Sequence, residues 1–286
     1  MRYSLALLVS AVLAPLSALA APAATVIVPG GPKAAADVHQ IPAGGRIAHV
    51  NDQVHVFDAA GSIVKKVSVG VRPTPVRNAV APLQTGWITY ASWLNQGSSP
   101  ISSFTTTWTV PPVPATNHGQ TIFLFNSIEP NSGDAIIQPV LQYGPSAAGG
   151  GSFWGVASWY LVGNSVFNTA VTRVSAGQTL NGVITLTSQS GSSFNYVTSF
   201  SNIAGTSLTV TGAAQLTWAT ETLEAYAVTA ISDYPAGSTK FSGINLKLAN
   251  GATPSISWST AQDSAEGLTT TVNTNGATNA VITIKY

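Results

Sequence analysis

The sequence predicts an all-β protein, built as a two-sheet antiparallel β-sandwich or jelly roll. Three observations favour this fold class. Runs of Thr, Val, Ile and aromatic residues alternate with small polar residues, clusters of Gly, Pro, Asn and Ser separate these runs, and no window carries a capped apolar stripe of helical period. Together they indicate short strands joined by tight turns.

The alternation is clearest in six segments, which are residues 104–110, 121–128, 180–187, 196–200, 216–228 and 281–286. About a dozen strands of this kind over roughly 200 residues fit two packed sheets. No repeat of fixed period is visible in the sequence.

Composition excludes several classes of protein. Only 7% of the 286 residues are charged, while 45% are hydrophobic, so a sizeable core can form. A net charge of +1 without a basic run gives no surface for nucleic acid. Because the chain has no cysteine, disulfides and thiol nucleophiles are excluded, and the fold depends on packing alone.

Residues 1–20 have the pattern of a signal peptide. Arg2 is followed by an apolar stretch and by Ala18-Leu19-Ala20, the small-x-small site at which signal peptidase cuts. The stretch is too short for a stable membrane anchor. We therefore expect a secreted, extracellular monomer that does not span a membrane.

Residues 21–85, called the N-terminal segment below, differ in charge from residues 86–286, called the body. The segment has a net charge of +3 and holds three of the four histidines, whereas the body has a net charge of −3. This contrast favours a basic prosegment that docks by electrostatic complementarity. The alternative is a small N-terminal β-subdomain. The proline-rich stretch 72–82 is typical of a linker.

The body offers few groups for catalysis. Its one histidine, His118, lies in a loop, and no nucleophile-elbow motif is present to complete a serine triad. No ligand cluster for zinc and no phosphate-binding glycine loop occurs, so we expect no metal and no cofactor. Carboxylates and amides remain, and three glutamates, Glu129, Glu221 and Glu224, lie in or beside predicted strands.

Glu224 is a candidate general base. In a strand over 218–226, alternation places it on one face with Trp218, Thr220, Thr222 and Tyr226, and places Glu221 on the other face. The two glutamates therefore cannot form a carboxylate pair. A strand glutamate exposed to solvent is the plain alternative.

Several motifs of the body together resemble the eqolisins, the fungal glutamic peptidases. The resemblance covers roughly residues 86–286, and it rests on motifs that occur in the family's order. These are Gly86-Trp87-Ile88-Thr89-Tyr90-Ala91, the strand from Phe104 to Trp108-Thr109-Val110-Pro111, Ala135-Ile136-Ile137-Gln138, Ser158-Trp159-Tyr160, and Ala219-Thr220-Glu221-Thr222-Leu223-Glu224-Ala225-Tyr226. The last matches a family strand of the form Ala-Glu-x-Ile-Ile/Val-Glu-x-Phe/Pro.

The resemblance implies a concanavalin-like β-sandwich with a cleft for a protein or peptide substrate and a catalytic pair, Gln138 and Glu224. Glu224 would activate water and then protonate the leaving nitrogen, while the Gln138 amide would donate to the oxyanion. Trp87, Glu129 and Trp159 would contact substrate. We expect the catalytic pair on neighbouring strands, with side-chain ends about 3–6 Å apart.

The sequence also departs from the family. Pro139-Val140 replaces a Thr-Gly that usually follows the glutamine, Ala157-Ser158 replaces a Tyr-Glu pair, and Thr220 stands where the family has a glutamate. Glu129 matches a family aspartate. These changes retain the catalytic pair but remove carboxylates around it, so a catalytically inactive sandwich is a second interpretation.

A carbohydrate-binding sandwich, either a lectin or a glycoside hydrolase, is a third interpretation. Trp87, Trp93, Trp154 and Trp159 could stack on sugar rings. A retaining glycosidase would need a second carboxyl about 5–5.5 Å from Glu224, for which Glu129 is a candidate.

If residues 21–85 are a prosegment, they would act as an intramolecular inhibitor that covers Glu224. We expect docking at neutral pH and release in acid, as carboxylates of the body become protonated.

Overall fold

The protein is described from a computed structural model that covers residues 24–70, 86–262 and 267–286. Its regular structure is nearly all β, as predicted. In these ranges the helices are two single 3-10 turns, Ala35–Asp37 and Ile231–Asp233, and neither is long and apolar enough to cross a membrane. The predicted signal peptide and the proline-rich stretch 72–82 lie outside the described residues.

Six strands belong to the described part of the N-terminal segment, residues 24–70. They are β1 (Thr25–Val28), β2 (Gly31–Ala34), β3 (Val38–Gln40), β4 (Arg46–Val50), β5 (Gln53–Phe57) and β6 (Ile63–Ser68).

Fifteen strands belong to the described part of the body. They are β7 (Trp87–Leu94), β8 (Ile101–Thr109), β9 (Thr121–Glu129), β10 (Ala135–Ser146), β11 (Gly149–Val162), β12 (Ser165–Asn168), β13 (Thr172–Arg173), β14 (Thr179–Ser190), β15 (Ser193–Phe200), β16 (Leu208–Ala213), β17 (Trp218–Tyr226), β18 (Ser238–Leu248), β19 (Ser259–Gln262), β20 (Thr269–Thr274) and β21 (Ala280–Lys285). All six strands predicted from alternation are present.

The strands form two large sheets and one separate hairpin. The first, called the front sheet, has the order β19-β7-β17-β9-β10-β11-β12-β3, with β13 beside β11. The second, called the back sheet, has the order β20-β21-β18-β8-β14-β15-β16-β4-β5-β6. Among the described residues, strands β1 and β2 pair only with each other. The sandwich is therefore as predicted.

The N-terminal segment extends both sheets. Strand β3 pairs in parallel with β12, and β4 pairs in parallel with β16, so the pairing is not antiparallel throughout. The direction differs at these two junctions because β3 and β4 come from a distant part of the chain, not from a hairpin with β12 or β16.

Alternation along the strands separates two apolar clusters. Residues such as Leu124, Leu141 and Leu223 face the back sheet and form the main core. Their neighbours on the opposite face of the front sheet form a second cluster, which includes Phe123, Val140, Trp159 and Trp218. Burial of each large side chain contributes about 1.5–3 kcal/mol.

The β1–β2 hairpin lies on this opposite face. Val28 is fully buried in the second cluster, and the amide of Ala147 donates to the Ile27 carbonyl at 2.8 Å. The hairpin turns at Pro29 and Gly30, where Gly30 and Gly31 have φ of +92° and +109°. Because L side chains rarely adopt such angles, glycine suits both positions.

Candidate active site

All five residues predicted for the site lie on one face of the front sheet, the face that carries the hairpin. Gln138 and Glu224 are fully buried, and Trp87, Glu129 and Trp159 are at most 6% exposed. Alternation accounts for the shared face. Each of the five residues belongs to the second cluster, lies two positions from a member of it, or pairs with a member on the neighbouring strand. Glu221 faces the main core instead, as predicted.

Gln138 and Glu224 are not on neighbouring strands, and this prediction was wrong. Strand β9 lies between β10, which carries Gln138, and β17, which carries Glu224. Glu224 is opposite Phe123, which is opposite Gln142, so Gln138 is four residues away along β10 from the level of Glu224. In a flat sheet this offset corresponds to about 16 Å between the two Cα atoms.

The site therefore consists of two groups. The first surrounds Glu224 and includes Trp87, which pairs with it on β7. The second surrounds Gln138 and includes Trp159, its partner on β11, and Glu129, at the end of β9. The order of strands could not be read from the sequence, because nothing in β9 marks it as the strand that inserts between the other two.

The carboxyl of Glu224 is held by three hydrogen-bond donors. The main-chain N–H of Gly30 donates to Oε1 at 2.6 Å, the hydroxyl of Tyr226 donates to the same oxygen, and the side chain of Trp87 is the third donor. The other oxygen, Oε2, has no hydrogen-bond partner among the described residues. One oxygen is thus anchored while the second is available.

Burial controls the charge of Glu224. It raises the pKa of the carboxyl to about 8, although the hydrogen bonds from Tyr226, Gly30 and Trp87 act in the opposite direction. With the hairpin in place, the carboxyl is therefore neutral in acid.

The amide of Gln138 is buried without partners. Neither its nitrogen nor its oxygen makes a hydrogen bond within the described ranges, and the same holds for the indole nitrogen of Trp159. Gln142, which is level with Glu224, is different. Its amide donates to the carbonyl of Gly149 at 2.9 Å and accepts from the Ser146 hydroxyl at 2.9 Å. Of the two glutamines, Gln138 is the one whose amide is available to a ligand.

A row of buried hydroxyls crosses the space between the two groups. The hydroxyl oxygens of Ser127 and Thr220 are 2.7 Å apart, and those of Thr220 and Thr222 are 2.9 Å apart. Thr222 lies two positions before Glu224. The β9–β10 register, in which Ile137 faces Ile128 and Val140 faces Phe125, places Gln138 opposite Ser127. The row therefore runs from Gln138 toward Glu224.

The tryptophans do not form an open platform for sugar. Trp87 stacks on Trp218 with ring centroids 5.8 Å apart, Trp154 and Trp159 are fully buried, and Trp93 packs against the main core. Glu129 faces Trp218, six residues along β17 from Glu224. Six strand residues span about 20 Å, so Glu129 and Glu224 are much further apart than the roughly 5–5.5 Å that a retaining glycosidase requires between its carboxyls.

His118 belongs to a contact between the loop before β9 and the loop after β17. Its Nδ1 lies 2.8 Å from the buried carboxylate of Asp233 and 3.0 Å from the hydroxyl of Thr229. Although burial alone would raise the pKa of Asp233, hydrogen bonds from Thr116, Thr229 and Ala230 hold it well below its usual range. This pair ties two loops together. No group of three or more potential metal ligands occurs in the part of the chain that the structure describes.

Sequence reasoning missed two residues that touch Glu224. Gly30 has no sequence signal beyond the Pro-Gly-Gly-Pro turn in which it lies. Tyr226 was placed on the face of Glu224 by alternation, but its hydroxyl contact was not anticipated.

Comparisons with known proteins give solved structures only. No family model matches the chain, and no curated protein matches it. Two structures of scytalido-glutamic peptidase are similar, one with a peptide-based transition state analog (12% identity, TM-score 0.48) and one with a transition state analog inhibitor (14%, 0.47). A third is SCP-B, a member of the eqolisin family in a complex with the tripeptide Ala-Ile-His (14%, 0.46).

Each comparison covers 71% of this chain and 98% of the other. SCP-B belongs to the eqolisin family, which is the family that the sequence motifs resemble.

Proposed function

We propose that this chain is the precursor of a secreted acid endopeptidase of the glutamic type, which hydrolyses peptide bonds in proteins without a cofactor. One observation carries the proposal. The buried carboxyl of Glu224 accepts the N–H of a peptide group, that of Gly30, from a stretch of chain lying on the same face. A carboxyl in this position can transfer a proton to the nitrogen of a bound peptide.

The reaction uses Glu224 twice. The ionised carboxylate removes a proton from water while the water oxygen bonds to the scissile carbonyl carbon. The same group then donates that proton to the amide nitrogen as the carbon–nitrogen bond breaks. The side-chain N–H of Gln138 donates to the oxygen on which negative charge develops.

Because Glu224 and Gln138 have to act on the same carbonyl group, the proposal requires the ends of their side chains to reach toward each other over β9. The hydroxyl row of Ser127, Thr220 and Thr222 lies between them and offers hydrogen-bonding groups to a substrate that lies across β9. Trp87 flanks the substrate near Glu224, and Glu129 and Trp159 flank it near Gln138. We place the substrate where the β1–β2 hairpin now lies.

The N-terminal segment is the inhibitor in this proposal. Gly30 occupies the Oε1 side of Glu224, and burial keeps the pKa of the carboxyl at about 8, so the group is protonated in acid and cannot act as a base. Removal of the segment admits water and lowers that pKa toward its ordinary value of about 4.5. The mature enzyme is then a monomer that works in acid.

The test is digestion of denatured protein at pH 2–5 after the segment has been cut off at a specific protease site inserted within residues 71–85. We expect cleavage that pepstatin does not block. Glu224→Gln should reduce the rate at least about a thousandfold, and Gln138→Ala by about 100- to 1000-fold.

Two matched variants serve as controls. Glu221→Gln changes a buried carboxyl of the same strand on the opposite face and should cleave like the unchanged protein. Gln142→Ala tests the glutamine that is level with Glu224. Equal cleavage by the Glu224 and Glu221 variants would overturn the role of Glu224, and loss of activity in the Gln142 variant but not in the Gln138 variant would reassign the oxyanion donor.

A further inference from the structure

Tyr226 is the side chain of the body whose hydroxyl contacts the carboxyl of Glu224. It lies two positions further along β17, on the same face, and donates to Oε1. Its ring also meets the edge of Phe123, with centroids 6.4 Å apart and planes at 70°. Unlike Gly30, Tyr226 remains beside Glu224 when the N-terminal segment is removed.

The Tyr226 ring packs directly against the backbone of Gly86. A Cβ atom on Gly86 would lie 2.5 Å from Cζ and 2.7 Å from the hydroxyl oxygen of Tyr226, closer than such atoms approach. The backbone there has φ of +97°, and the Gly86 carbonyl accepts from the amide of Ala225 at 2.9 Å. The tyrosine can approach its neighbour this closely because residue 86 has no side chain.

We propose that Tyr226 is a positioning residue for Glu224: it holds Oε1 so that Oε2 faces water and substrate, and it favours the ionised carboxylate that acts as the base. The inference rests on the proposed function and extends it by one residue. A donor to a carboxylate stabilises the charged form more than the neutral form, so the contact acts on both geometry and proton affinity.

The surroundings of Glu224 make this effect measurable. Besides burial, the influences on its pKa are the hydrogen bonds from Tyr226, Gly30 and Trp87, and no neighbouring charge in the described part of the chain contributes. Gly30 and Trp87 donate from N–H groups that do not titrate. A shift of the Glu224 titration midpoint in a Tyr226 variant therefore reports on the Tyr226 hydroxyl.

The experiment is a pH titration of the full-length chain labelled with ¹³C at the carboxyl carbon of glutamate. The sequence contains four glutamates, Glu129, Glu221, Glu224 and Glu266, so four signals are expected, and Glu224→Gln assigns one of them. In Tyr226→Phe the titration midpoint of Glu224 should rise by about one pH unit, a tenfold change in proton affinity. Tyr143→Phe removes a phenol on the opposite face of the sheet and should leave the midpoint unchanged.

A kinetic measurement separates this role from a structural one. After removal of the N-terminal segment, the acid limb of the profile of kcat/KM should move to higher pH in Tyr226→Phe, with about tenfold loss on that limb and a near-normal rate above it. Gly86→Ala, which displaces the ring, should shift the limb in the same direction.

The outcomes are distinguishable from those of the proposed function. An unchanged or lowered Glu224 midpoint in Tyr226→Phe, or an equal shift in Tyr143→Phe, overturns the role of Tyr226. Absence of proteolysis by the unchanged protein overturns the peptidase, while the titration still decides whether Tyr226 controls the carboxyl.

Discussion

The main-chain N–H of Gly30 donates to Oε1 of Glu224 at 2.6 Å, although 194 positions separate the two residues in the sequence. The contact joins the N-terminal segment to the carboxyl on which the proposed chemistry depends. It also explains why the carboxyl is fully buried, because the hairpin that carries Gly30 packs on the same face.

Docking of the hairpin should depend on Val28, which is fully buried among the aromatic residues of the second cluster. In Val28→Asp a carboxylate would have to enter this apolar site, at a cost of several kcal/mol. We expect at least a hundredfold faster dissociation of the segment once the chain is nicked within residues 71–85. Size-exclusion chromatography at neutral pH would measure this.

Val64→Asp is the matched control, because Val64 lies on the exposed edge strand β6 at 53% exposure. If both variants release the segment at the same rate as the unchanged chain, the hairpin is not what holds it.

Docking of the segment should depend on pH through two of its histidines, His39 and His49, and through Glu224. The ring of His39 lies 5.2 Å from Phe167, and Nε2 of His49 lies 2.9 Å from the Tyr160 hydroxyl, so both meet the body. Burial lowers the pKa of both rings; Lys65 lowers that of His39 further and Asp37 opposes this, while Asp134 opposes the shift at His49.

Protonation of the two histidines weakens docking of the segment, whereas protonation of Glu224 strengthens it. The histidines bind protons more readily when the segment is free, so docking weakens as pH falls below about 6.5. Glu224 has a raised pKa when covered, so it strengthens docking as pH falls from about 8 toward about 4.5. This differs from the expectation that protonated carboxylates release the segment.

In a nicked chain carrying His39→Gln and His49→Gln, the segment should therefore bind more tightly at pH 5 than at pH 7. Adding Glu224→Gln should remove that difference. Release on acidification in the double histidine variant, as steep as in the unchanged chain, would contradict this account.

Glu221 should make the stability of the sandwich depend on pH. It is fully buried between the sheets, where the Thr106 hydroxyl donates to Oε1, and burial raises its pKa well above the ordinary value. The folded protein therefore holds a proton that the unfolded chain releases above about pH 4.5, so stability falls as pH rises from there.

Glu221→Gln should be more stable than the unchanged protein at pH 7 by more than about 1 kcal/mol, and about equally stable at pH 3. Urea unfolding at both pH values measures the difference. A stability gap that is the same at both values would show that Glu221 does not titrate in this window.

Much of this site could be predicted from residue types and their period. Alternation identified β17 and placed Glu224 with Trp218 and Tyr226 and apart from Glu221, because side chains in a strand point to opposite faces in turn. The low charge and absent cysteines showed that packing would hold the chain together.

The strand order, the pairing partners and the cover over Glu224 depended on the tertiary structure. Insertion of β9 between Gln138 and Glu224 and the parallel addition of β3 and β4 are long-range pairings, which leave no local signature because any alternating strand can offer the same backbone groups. The pKa of Glu224 was likewise set by burial under Gly30. Residue type and period thus determined which face each side chain occupies, and packing between distant segments decided which of those side chains meet.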